Sequence, residues 1–185
     1  NKGDIIFKNS GGNMQKETDI EKALLRKYPE QVVLVTTRNK EGKNNVMAVG
    51  WTAIVSSDPV MFVLGIDEEA CTYQNILGTK QFVVSFPSEK MAKETLFVGS
   101  VHGYKRDKIQ ESGLEIQEAK IVNAPVLVDA VANFECKLVE ITKPGDCPLV
   151  VGQVVYAWEN TDEHLKRLYT VGTDHKLAGV RPIEP

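Results

Sequence analysis

Between Val32 and Ile66 the chain passes through three stretches rich in β-branched and aromatic residues, with almost nothing between them. Val32-Val33-Leu34-Val35-Thr36-Thr37 reads as a buried strand, and Asn39 to Lys43 as a hairpin turn in which Gly42 supplies the permissive backbone. A second strand runs from Asn45 to about Val55 and breaks at Asp58-Pro59. Val60 to Ile66 is a third, apolar throughout and so expected to be covered on both faces. Connections this short leave no room for the crossover that parallel strands need, so the neighbours must run antiparallel.

The rest of the chain extends the pattern. Gln81 to Phe86 is a fourth strand, ended by Pro87. Val126 to Ile141 alternates most cleanly, with Ala130, Ala132, Phe134, Cys136 and Leu138 pointing one way and Asn133, Glu135 and Lys137 the other. A turn at Lys143-Pro144-Gly145-Asp146 leads to a last long strand, Leu149 to Trp158. Helical signals are short: Glu17 to Tyr28, stopped by Pro29; Thr72 to Leu77, with Thr72 as N-cap and Gly78 keeping it brief; two pieces between Met91 and Ser112, joined around Gly99 and Gly103; and a helical turn from Glu163 to Leu168. Tyr169 to Pro185 reads as an irregular tail. The fold class is mainly β, an antiparallel β-barrel with peripheral short helices. A flexible N-terminal segment, 1–16, including Asn9 to Asn13, precedes a single domain, 17–185.

A net charge of −3 gives no long-range attraction for nucleic acid. Cys71, Cys136 and Cys147 are odd in number and lack CxxC spacing, which points to a reducing, cytoplasmic setting. His102, His164 and His175 form no metal-ligand spacing. No apolar run approaches the ~20 residues of a membrane helix, and the first 13 residues lack a signal peptide's apolar core. Neither GxGxxG nor a Walker loop is present.

The chemistry concentrates between Asn45 and Thr72. Small residues, a Trp and hydroxyls line an extended stretch, and a helix start bearing a Thr follows. A flat aromatic cofactor with a phosphate tail needs bare backbone beside its ring and donors for the phosphate; flavin mononucleotide (FMN) is such a cofactor. Ala48 and Gly50 let a ring approach the main chain of Met47, Ala48, Val49 and Gly50. Trp51 offers a flat face, and Asn45 shares its strand parity, so both can face one site. Thr72 would meet the phosphate at the helix entrance, or serve only as a cap. Lys108 would balance the phosphate or favour the reduced ring, or be an exposed lysine; Lys105 and Arg106 are weaker candidates.

In their order, Asn45 through Trp51-Thr52, Ser57-Asp58-Pro59, Thr72 with Ile76 before Phe82-Val83-Val84, Asp107-Lys108 before Gly113-Leu114, and Gly145-Asp146 before Val151-Gly152-Gln153-Val154 resemble the flavin reductase-like family, with its FMN-binding split barrel, and within it the flavoredoxin branch. The resemblance covers roughly Gln31 to Ala157. It implies a homodimer with FMN near the interface, contacted by Asn45, Trp51, Thr52, Thr72 and Lys108. It implies an oxidoreductase that takes electrons from NADH, NADPH or another donor and passes them to a small-molecule or protein partner. The alternatives are an FMN-binding electron carrier without a nicotinamide site, a flavin-free interaction domain, and a pyridoxamine-phosphate-oxidase-like protein on the same architecture. Many members carry a His after the Gly-Asp turn; Cys147 stands there in this chain, a weak candidate for a catalytic role.

Overall fold

The computed structural model describes residues 15–180, so the expectations for residues 1–13 and for the end of the tail lie outside the described residues. Strands β1 (Glu30–Gln31), β2 (Val33–Arg38), β3 (Asn44–Val49), β4 (Thr52–Ser57) and β5 (Val60–Gly65) follow the short helix α1 (Ile20–Leu24). Helix α2 (Cys71–Thr79) leads into β6 (Gln81–Phe86), and α3 (Ala92–Ser100) and α4 (Lys108–Ser112) follow. The remaining strands are β7 (Ile116–Glu118), β8 (Pro125–Leu127), β9 (Ala132–Thr142), β10 (Leu149–Glu159), β11 (Leu168–Gly172) and β12 (Lys176–Gly179).

Seven strands form one sheet in the order β3-β2-β6-β9-β10-β5-β4, and each neighbouring pair is antiparallel. Val35, Val49, Phe62, Leu64, Phe82, Val84, Cys136 and Val150 meet in one buried cluster. A flat sheet would hold Val49 of β3 far from Leu64 of β5, so the sheet curls into a barrel around them. Gly152 makes room at its centre: a Cβ there would lie 2.2 Å from Cζ of Phe82. The single strand expected from Asn45 to Val55 is two strands, at opposite ends of this order. Gly50 and Trp51 carry the chain across, so strand parity does not relate Asn45 to Trp51.

The run Val32–Thr37 is continuously buried because both its faces are covered. Val33 and Val35 point into the barrel, while Leu34 packs outward with Val98 of α3 and Ile109 of α4. Val60–Ile66 is not covered on both faces in the single chain: Phe62 and Leu64 are buried, but Met61 and Val63 only half-buried. The tail is not irregular. Its β11 pairs with both β1 and β12, and Leu168 opens a strand where a helical turn was expected. Gly78 does not end α2, which runs on to Thr79 and closes on the left-handed Lys80. Among the described residues, no helix is long and apolar enough to cross a membrane.

Glu135 is fully buried on the outer face of β9. Its carboxylate accepts from the backbone amides of Lys120, Ile121 and Val122 at 2.6–2.9 Å and from Nε1 of Trp158 at 2.8 Å. Burial pushes its pKa up, but these donors outweigh it and hold the carboxyl below its ordinary value. The carboxylate therefore pins the 119–124 loop to the barrel. The unfolded chain takes up this proton at a higher pH than the folded protein. The stabilisation is thus complete above the unfolded pKa of about 4.3 and is lost as the pH falls below it. Glu135→Gln should lower the unfolding free energy at pH 7 by roughly 1.5–3 kcal/mol. It should also flatten the decline of stability in acid, as read from urea unfolding between pH 3 and 7; an unchanged acid profile would remove Glu135 as its source.

Candidate functional site

Two adjoining chambers open along β3 and share the walls Met47, Gly99 and Ser100. The narrower, about 470 Å³, lies between the start of α2, the buried end of β3 and residues 98–104, the end of α3 and the link that follows it. The wider, about 630 Å³, runs from Met47 along Gly50 and Trp51 to Tyr28, α3 and the β11–β12 hairpin. Both volumes fall in the usual range of small-molecule sites, ~300–1,000 Å³.

In the narrower chamber Asn45 Nδ2 donates to the hydroxyl of Thr72 at 2.8 Å. Both residues are buried, and Asn45 Oδ1 has no partner among the described residues. Gly103 closes over that oxygen: a Cβ there would sit 2.0 Å from it. A glycine at this position is therefore required by close approach rather than by a turn. Thr72 is not the N-cap. Ala70 occupies that position with extended backbone, which puts Thr72 second in the helix, in the first turn, where Ala70, Cys71 and Thr72 line the chamber and the amides lack intrahelical partners.

Lys108 is not an exposed surface lysine; only 4% of it is accessible. Asp107 caps α4 by accepting from the amide of Gln110 at 3.1 Å, which turns Lys108 inward. Its Nζ donates to the carbonyls of Val98 at 2.8 Å and Val101 at 3.0 Å, tying down the end of α3. An ammonium has three donors, so one remains for the chamber. Burial lowers its pKa from 10.5 to about 8, against a smaller upward pull from Cys71. Arg106, by contrast, is spent on Glu111.

The wider chamber has a different character. Trp51 packs on Gly65, where a Cβ would lie 3.1 Å from its own, and leaves 62% of itself accessible. Lys27 and Glu30 form an ion pair of 2.8 Å at the rim. Asp174 and His175, both left-handed at φ 59° and 54°, make the tip of the hairpin and line the same chamber. Nothing in the sequence placed that hairpin or His175; the Gly103 contact was foreshadowed only by a glycine between two helix signals.

The structure thus brings Asn45, Thr72 and Lys108 to one chamber and Ala48, Val49, Gly50 and Trp51 to the other, with Met47 in both. Thr52 lines neither; its hydroxyl is buried without a partner among the described residues. Cys147 also lines neither, although its Sγ lies 3.6 Å from where a Cβ of Gly65 would be. Burial, with Asp146 and Asp67 nearby, raises the Cys147 pKa and keeps the thiol protonated, which counts against a nucleophile. Cys136 is core, its pKa pushed up to about 12.

The buried ammonium has a consequence for stability without any ligand. Between pH 8 and 10.5 the unfolded chain holds the Lys108 proton and the folded protein does not, so Lys108 makes stability rise with pH across that window. Wild type minus Lys108→Met should show this rise in urea midpoints; a flat difference would mean that the ammonium is not desolvated.

The sequence model of the flavin reductase like domain matches residues 25–177. A flavin reductase of Pseudomonas putida is 27% identical over 133 residues, covering 72% of this chain and 75% of that protein. The flavoredoxin of Methanosarcina acetivorans superposes with a TM-score of 0.78 at 26% identity, over 92% of this chain and 94% of that one. An FMN-binding protein from Thermus thermophilus gives 0.77 at 25% identity, over 87% and 93%. The residues lining both chambers, Lys27 through Leu177, fall within the matched segment, and the chain belongs to the flavin reductase-like family, whose split barrel it shares and whose flavin-linked redox function it carries.

Proposed function

We propose that the protein binds FMN across the two chambers and acts as an FMN-dependent oxidoreductase, passing electrons from a donor to a small-molecule or protein acceptor. The observation that carries this reading is the continuity of a buried ammonium and helix-start amides with a wider chamber walled by bare backbone, through Met47. An anionic tail suits the narrower chamber, where Lys108, Thr72 and the amides at the start of α2 converge. A flat ring suits the Ala48–Trp51 main chain, whose groups can hydrogen-bond its polar edge. Bound FMN supplies reversible electron transfer; the residues of this chain orient it, shield it from water and set the field around it. The similar protein from Thermus thermophilus is described as FMN-binding, which supports the choice of flavin.

A second reading, an electron carrier with no nicotinamide site of its own, is favoured by the Asp174 carboxylate at the mouth of the wider chamber, where the one lysine among the described lining residues, Lys27, is already paired with Glu30. We place either activity in the cytoplasm, a reading supported by three free cysteines. The assembly we propose is a homodimer. Ile54 is 62% and Val55 52% accessible on the β4–β5 hairpin at the end of the sheet, an apolar edge that a second copy would cover.

FMN added to flavin-free protein should bind one per chain with a change in flavin fluorescence. Lys108→Ala should weaken that binding roughly 10–100-fold, and Thr72→Val should weaken it without changing the fold. Protein that stays colourless and leaves FMN fluorescence unchanged would overturn the assignment. For the dimer, light scattering should give twice the chain mass for wild type and a shift to monomer for Ile54→Asp; a wild type that is monomeric at all concentrations would refute it.

A further inference from the structure

The wider chamber has more room and different chemistry than an anionic cofactor tail requires. Its aromatic walls are Tyr28, Trp51 and Phe97, and the part under the β11–β12 hairpin lies away from the helix-start donors. Trp51 is seated on Gly65 and leaves most of its surface bare toward solvent and chamber. The charge balance is the second observation. Lys27 is neutralised by Glu30 at 2.8 Å and also lies over the Tyr28 ring, 5.4 Å from its centroid. Asp174 adds a further carboxylate at the tip. Among the described lining residues, the cation without a carboxylate partner is Lys108, in the other chamber. A phosphate or carboxylate entering under the hairpin would therefore approach Asp174, the carboxylate that Lys27 does not offset, with no free cation beside it. Such an approach is unfavourable in a partly desolvated site.

We propose that the second ligand of the wider chamber is an uncharged planar ring compound, stacked on Trp51, and that Asp174 turns away phosphate-bearing dinucleotides. This inference rests on the FMN reading for the identity of the first ligand, but not for the selectivity of the chamber. A flat ring gains by covering the exposed indole face and displacing its water. Specificity comes from the repulsive carboxylate as much as from that attraction. The double left-handed turn at Asp174 and His175 aims the hairpin tip at the chamber, and it is this tip that sets the sign of the field at its mouth.

Equilibrium dialysis of the oxidised, FMN-loaded protein against three probes tests the inference: 2-methyl-1,4-naphthoquinone, 1,4-naphthoquinone-2-sulfonate and NADP+. The neutral quinone should bind at least ~10-fold more tightly than the sulfonate, and more tightly than NADP+. Equal or tighter binding of either anion would overturn the proposal. Trp51→Ala should weaken the neutral quinone about 10-fold; an unchanged affinity would show that the ring sits elsewhere. Asp174→Lys, at an exposed turn, should improve sulfonate binding roughly 3–10-fold, and no improvement would remove that carboxylate as the cause. The flavin content is read from absorbance beforehand. If no FMN is held, the FMN reading fails, and the same dialysis on flavin-free protein decides the selectivity of the chamber independently.

Discussion

The structure depends on one passage of backbone. β3 and β4 stand at opposite ends of the seven-stranded sheet, yet only Gly50 and Trp51 separate them in sequence. The chain can make that step only if the sheet has curled far enough to bring its ends together, and the core from Val49 to Leu64 is what curls it. The amide of Gly65 donates to the carbonyl of Trp51 at 2.8 Å and stitches the crossing to β5. Both chambers lie along this passage and the strand that leads to it. The fold makes its site where its sheet cannot continue, and an unpaired stretch of main chain is what a planar heterocycle needs for its polar edge.

Buried polar groups divide into two kinds by how completely they are satisfied. Glu135 receives four donors, three backbone and one indole, and is saturated; it pins a loop and faces no chamber. Asn45 and Lys108 are equally deep but incomplete. Asn45 Oδ1 lacks a partner among the described residues, and the two carbonyls on Lys108 leave one of its donors over. Leaving such capacity idle in a low-dielectric site costs stability; in the narrower chamber it coincides with a buried ammonium and a helix entrance, a combination suited to a polar ligand.

Much of the barrel was legible in the sequence because strand formation here is a local matter. The β2 run, the Gly42 turn and the β6 boundaries follow from β-branched content and turn residues alone. What could not be read was whatever depends on closure. The step at Gly50 resembles a continued strand, since alternation does not reveal which sheet end a residue joins. The inward turn of Lys108 depends on carbonyls ten and seven residues upstream, and the β11–β12 hairpin has Asp-His where a turn signal would be glycine. The candidate residues were chosen by type and order, but their division between two chambers, and the exclusion of Thr52 and Cys147 from both, needed the fold.

The common wall of Met47, Gly99 and Ser100 has one more implication. The ammonium that holds the end of α3 belongs to one compartment, while the helix it holds forms the side of the other. Any rearrangement of that helix terminus on filling the first compartment must alter the free energy of filling the second, and the effect is the same in either order. The partition is therefore a thermodynamic lever: what is gripped at one end of the site governs how long a guest stays at the other.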